Sequence, residues 1–168
     1  MNKLLVIGSH LGLLDELEEV KDLRDRDVYA CNRAAHIYGG YIDALVTLHP
    51  EHLYIGDGWV LKRASMLYAN HDYQILASWM LSDFLPFGRQ ATIMRSPRVS
   101  GTTVLFAVIC GIYEGYKDIV IAGAPMDDPA YQSYQAGWVE VQDILSRANV
   151  RSLSGWTRRF LESIENNL

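Results

Sequence analysis

The stretch that most constrains the fold is residues 100–127, SGTTVLFAVICGIYEGYKDIVIAGAPMD. Its opening Ser-Gly-Thr-Thr supplies hydroxyls suited to a helix N-cap and a glycine that lets backbone approach a ligand closely. A helix-length apolar segment follows, Val104 to Tyr113, closed by Glu114-Gly115, where Gly115 fits a left-handed C-cap. Lys117-Asp118 then leads into the short apolar run Ile119 to Ala122, the pattern of a buried strand. That strand ends in Gly123-Ala124-Pro125-Met126-Asp127. Helix, cap, buried strand and glycine-bearing loop make half of an α/β unit, with polar ends where a ligand would sit.

The same grammar recurs along the chain. Lys3 to Ile7 reads as a first buried strand ending in Gly8-Ser9-His10, and Val28 to Cys31 as a second ending in Asn32-Arg33. Asp43 to Leu48 reads as a third, ending in His49-Pro50-Glu51, and Val150 to Leu153 as a last short one. The spacing over Trp59 to Ala69 predicts a helix, with a strand at Tyr73 to Ala77. Ser78 to Val99 reads as irregular, apart from an extra strand near Thr92-Ile93-Met94. Leu11 to Arg26 has room for a short helix but is charged enough to lie on the surface. Trp138 to Ala148 predicts an amphipathic helix, and a terminal helix runs from about Ser154 to Ile164. Strands alternating with helices predict an α/β fold: one doubly wound, mostly parallel, Rossmann-like sheet with helices on both faces, residues 1–168 forming a single domain.

Composition narrows the function classes. The net charge of -5 carries no basic stripe, so a nucleic-acid backbone is a disfavoured partner. Cys31 and Cys110 lie in apolar runs without C-x-x-C spacing and read as reduced core residues. Nothing approaches the roughly 18 consecutive apolar residues of a membrane helix. Met1 to Gly8 lacks the pattern of a signal peptide, and a cytoplasmic location is expected. No P-loop lysine signature and no G-x-S-x-G elbow occur.

In doubly wound sheets ligands bind outside the carboxyl ends of the strands, near the point where strand order reverses. Those ends nominate the binding residues here: Gly8, Ser9 and His10; Asn32 and Arg33; Ser100, Gly101 and Thr102 at a helix start; and Gly123. The Ser100–Thr102 turn offers N–H groups and hydroxyls as a neutral anion site, or is ordinary capping. Asn32 has a donor and an acceptor for a base or sugar, or caps the next helix. Arg33 suits a carboxylate or phosphate. His49-Pro50-Glu51-His52 has two of the ligand types of a metal site but no third spaced ligand. His10 and His49 serve as a general base or as hydrogen-bonding wall residues. Asp127-Asp128 would hold Mg²⁺ beside a diphosphate, or simply form a turn. Tyr131, Tyr134 and Trp138 form an aromatic patch suited to an acceptor or to self-association into a homo-oligomer.

The runs Ile7-Gly8-Ser9, Ala30-Cys31-Asn32-Arg33, Ser100-Gly101 and Gly115 to Gly123 (GYKDIVIAG) together resemble the bacterial family 42 sialyltransferases. The wider relatives include short, often phage-encoded proteins and the archaeal 6-hydroxymethylpterin diphosphokinase-like group. Val150 to Thr157 looks like the terminal motif of the short relatives. The resemblance implies a nucleotide or nucleotide-sugar partner held by Gly8, Ser9, Asn32, Ser100, Gly101 and Thr102, and a glycosyltransferase-like activity. Two departures stand out. The family's first loop, typically Gly-Asn-Gly-Pro-Ser, is Gly-Ser-His-Leu-Gly here, and no histidine lies beyond His71 to act as the family's catalytic base. Asp127 or His49 is then the expected base. The alternatives are a nucleotide-binding module without chemistry and a Mg²⁺-dependent pterin-type diphosphotransferase.

Overall fold

The computed structural model describes residues 3–48, 64–70, 90–94 and 102–166. Seven strands form one sheet: β1 (Lys3–Ile7), β2 (Asp27–Cys31), β3 (Ile42–Thr47), β4 (Ala64–Asn70), β5 (Gln90–Met94), β6 (Asp118–Ala122) and β7 (Asn149–Ser152). Their order is β5-β4-β3-β2-β1-β6-β7, and every pairing is parallel. The chain therefore winds outward from β1 to β5, returns, and winds the other way through β6 and β7. The order reverses at β1, flanked by β2 and β6, where Ile7 is in register with both Ala30 and Ala122.

Helices cover both faces. On one, α1 (Leu13–Glu18) and α2 (Ala34–Ile37) bury Leu13, Leu17, Ala34 and Ala35 against Leu5, Ile7, Val28 and Val120. The other carries α3 (Thr103–Tyr113), α4 (Gln132–Glu140), α5 (Gln142–Leu145) and α6 (Gly155–Glu165), packed on Leu4, Val6, Tyr29, Ile119 and Ile121. Every residue of α3 from Thr103 to Ile112 is buried, as expected for a helix apolar all round. It ends as its sequence requires, with Gly115 at φ 92°. At the opposite rim of the sheet the buried Arg26 side chain donates to Asp22, to Asp118 and to the Leu4 carbonyl, tying the starts of β1 and β6 together.

The structure confirms the doubly wound α/β architecture and revises several elements. Ala64–Asn70 is a strand, where spacing over Trp59 to Ala69 predicts a helix. Local spacing is a weak guide for such a segment, and parallel pairing with β3 on one side and β5 on the other decides the outcome. The helix expected over Trp138 to Ala148 starts earlier, at Gln132, and is broken at Val141 (φ -104°, ψ 22°) into α4 and α5. The segment after β1 is less of a surface element than its charge implies, since Leu13, Glu16, Leu17 and Val20 are all buried. The strand expected at Tyr73 to Ala77 lies outside the described residues. Among the described residues no helix is long and apolar enough to cross a membrane.

Candidate functional site

The loops after β1 and β6 meet first. Gly8 N–H donates to the Ala122 carbonyl at 2.8 Å and His10 N–H to the Gly123 carbonyl at 3.1 Å. The backbones are so close that a Cβ on Gly8 would overlap the Gly123 carbonyl, and Gly123 itself sits at φ 68°. Only glycine satisfies both conditions at these two positions. The junction is clamped from behind by Glu16 of α1, a buried carboxylate that the sequence reading did not single out. Its Oε2 accepts from Gly123 N–H at 2.7 Å and its Oε1 from Ser154 Oγ at 2.7 Å. The available signal was Glu16 lying one turn after Leu13 and beside Leu17, on the helix's buried face.

Beyond this junction a cavity of about 670 Å³ opens over the carboxyl ends of β1, β2 and β6. Gly8, Ser9, His10 and Leu11 line it from the first loop, Cys31 and Asn32 from the end of β2, and Thr102, Thr103 and Val104 from the start of α3. The β6 loop adds Gly123 through Asp128, followed by Tyr131 and Tyr134. Of the residues nominated from sequence, Gly8, Ser9, His10, Asn32, Thr102, Gly123 and Asp127 thus share one wall-to-wall cavity. Arg33 does not join them: it is exposed, because the left-handed turn at Asn32 sends the chain into α2 and away from the cavity. Ser100, Gly101 and His49 lie outside the described residues.

Each wall has a distinct chemistry. Thr102 caps α3, its Oγ1 accepting from Leu105 N–H at 3.3 Å. The N–H groups of Thr103 and Val104, in the first turn, have no intrahelical acceptor, and both residues line the cavity. The helix end adds roughly half a positive charge there, worth about 0.3–1 kcal/mol to a nearby anion. Asn32 is held at φ 49°, with its Nδ2 donating to Thr103 Oγ1 at 3.1 Å. The bond couples the end of β2 to the start of α3. His10 is exposed, and its Nδ1 accepts from Gly12 N–H at 3.1 Å, which leaves the proton of a neutral ring on Nε2. Cys31 is buried, its Sγ 3.7 Å from the Thr103 carbonyl, and burial pushes its thiol well above the usual range. It is a wall, not a nucleophile.

The two acids at the mouth are both engaged. Asp127 Oδ1 accepts from Arg159 of α6 at 2.7 Å, and Asp128 Oδ1 accepts from Ala130 N–H at 2.8 Å, capping a 3₁₀ turn at Pro129–Tyr131. Among the described residues no group of three or more His, Cys, Asp or Glu side chains is arranged to hold a metal ion. Trp138 is fully buried in the core, so of the expected aromatic patch only Tyr131 and Tyr134 are exposed. Chemically, the cavity lining combines hydrogen-bonding, anion-accepting groups at α3 and β2 with aromatic and acidic ones from the loop after β6.

Comparison with known proteins found no family model, no curated protein and no solved structure that matches this chain.

Proposed function

We propose that the cavity binds a nucleotide or nucleotide-sugar and that the protein is glycosyltransferase-like, using the bound nucleotide as its leaving group. The observation that carries this reading is the position of the cavity. It sits where strand order reverses around β1, at the carboxyl ends of the strands, with the N-terminus of α3 opening into it. That is the general place for such ligands in doubly wound sheets. Thr103 and Val104 N–H groups would receive a phosphate, while the side chains of Ser9 and Asn32 would fix the sugar or base. The chain's resemblance to family 42 sialyltransferases at Gly8-Ser9 and Asn32 points the same way.

Of the two expected bases, Asp127 is the described one and lines the cavity, but its carboxylate is paired with Arg159. This contact favours a second reading, a nucleotide-binding module without turnover. The Mg²⁺-dependent diphosphotransferase reading is weaker, because Asp127 and Asp128 each have one carboxylate oxygen already engaged, and among the described residues no third His, Cys, Asp or Glu side chain joins them in a metal-holding group.

A thermal-shift screen against CMP, CDP, UDP, GDP, ADP, ATP and NAD, with and without Mg²⁺, tests the binding claim. A ligand at 100 times its Kd adds about 2.7 kcal/mol, roughly 5–10 °C in Tm for a chain this size. Release of free nucleotide from the matching nucleotide-sugar, with an acceptor present, separates the enzyme from the binding module. No shift with any of these compounds sinks the nucleotide reading.

A further inference from the structure

The successive carbonyls of Gly123, Ala124, Pro125 and Met126, in the loop after β6, are each held by a donor from another part of the chain. Gly123 accepts from His10 N–H at 3.1 Å and Met126 from Gln135 Nε2 at 3.2 Å. Thr157 of α6 holds the other two, donating its Oγ1 to Ala124 at 2.6 Å and its N–H to Pro125 at 3.2 Å. Thr157 is fully buried. Gly155 lies at φ 65°, so close that a Cβ there would overlap the Pro125 carbonyl. Ser154 Oγ reaches the same loop through Glu16, whose other carboxylate oxygen accepts from Gly123 N–H. Ser154, Gly155 and Thr157 are not among the residues that line the cavity, whereas every residue from Gly123 to Asp128 is.

The loop is the strained partner and α6 the anchored one. Met126, buried and not a glycine, sits at φ 58°, a conformation that persists only where the surroundings impose it. The helix has its own hold on the core. Leu161 is buried, Trp156 and Phe160 pack beside it with rings stacked at 4.8 Å, and Leu153 N–H donates to the Ile121 carbonyl at 3.0 Å. Of the contacts between α6 and the loop, the exposed Arg159–Asp127 pair contributes little, while the Thr157 Oγ1 bond is buried. We infer that Ser154, Gly155 and Thr157 are positioning residues: the start of α6 fixes the cavity wall that follows β6, without touching what the cavity holds. The consequence for affinity rests on the nucleotide reading; the positioning of the wall does not.

Native-state hydrogen exchange on the full chain tests the wall through the amides of His10 and Gly123, both bonded at this loop. Thr157→Val keeps the side-chain volume and removes the Oγ1 donor. Those two amides are expected to exchange about tenfold faster in it, and Thr157→Ser, which keeps the hydroxyl, should recover most of the difference. Faster exchange in α3 and β1 with no change at His10 and Gly123 would overturn the inference, because the bond would then serve the fold and not the loop. No recovery in Thr157→Ser would overturn it as well. The melting point checks folding, and Ser154→Ala, which loses only a part-buried donor, carries the same test if Thr157→Val does not fold. In a titration with CMP, UDP, GDP and ADP, whichever binds the wild type is expected to bind Thr157→Val about threefold more weakly or worse, since a looser wall must be ordered on binding. Unchanged affinity would overturn the effect on the cavity. If none binds the wild type, the nucleotide reading falls and the exchange rates alone decide the positioning.

Discussion

Asn32 Nδ2 donates to Thr103 Oγ1 at 3.1 Å while its own backbone sits at φ 49°, in the left-handed region. The bond joins the end of β2 to the first turn of the central helix, across the floor of the cavity. A non-glycine residue held there costs on the order of 1 kcal/mol, and such strain concentrates at functional sites. Asn32→Gly removes the strain and the bond together. It is expected to change stability by less than about 1 kcal/mol, because the two effects offset. Nucleotide affinity should nevertheless fall by about tenfold, the worth of one lost hydrogen bond to ligand. Asn32→Val, β-branched at positive φ, is expected to cost about 2–3 kcal/mol in the same urea titration.

Glu16 clamps the junction between the β1 and β6 loops from beneath. Glu16→Ala leaves Gly123 N–H and Ser154 Oγ without their acceptor in a buried place. The expected loss is about 3 kcal/mol, and Glu16→Gln, which keeps one acceptor oxygen, should lose roughly half of that. Chemical denaturation with an unchanged slope would check both values.

Asp22 provides a pH signature at the other end of the sheet. Hydrogen bonds from Arg26 and then from Lys3 hold its carboxyl far below its ordinary value of 3.8. A carboxylate depressed in the folded state stabilises the fold fully above its unfolded pKa, and that contribution is lost as pH falls toward the folded one. The Tm difference between wild type and Asp22→Asn should therefore be constant from pH 5 to 7 and shrink steadily below about pH 4. A difference independent of pH down to 2 would show that the ion pairs do not hold this rim.

Cys31 and Cys110 are buried, and burial raises both thiols well above the usual range. Neither is expected to react with a thiol reagent such as DTNB in the folded protein, while both should react at once in guanidinium. Rapid modification of the native chain would mean that the cavity wall at Cys31 opens.

Much of this architecture is legible in the chain, for identifiable reasons. β1, β2, β3 and β6 are short apolar runs closed by small or polar residues, and α3 is bounded by Thr102 and Gly115, both of which act as read. Because those strand ends converge in any doubly wound sheet, most of the cavity's lining could be named from sequence. What failed did so where tertiary contacts override local pattern. Ala64–Asn70 carries helix-compatible spacing but is held as a strand between two others. Arg33 follows the strand in sequence, yet one left-handed residue removes it from the site. Trp138 reads as part of an exposed aromatic patch with Tyr131 and Tyr134 but is fully buried, and Glu16 looks like a surface acid but holds two loops. Charge and polarity alone do not tell which face of a helix a neighbour will cover.

The central claim is that a nucleotide sits at the reversal of strand order. The most direct test is a ¹⁵N–¹H correlation titration of the full chain with CMP, UDP, GDP and ADP. One of them is expected to shift the amides of Ser9, His10, Asn32, Thr103, Val104 and Gly123 together, leaving those around Arg26 and Asp22 unmoved. Unshifted spectra with all four, or shifts confined to the Arg26 end of the sheet, would contradict it.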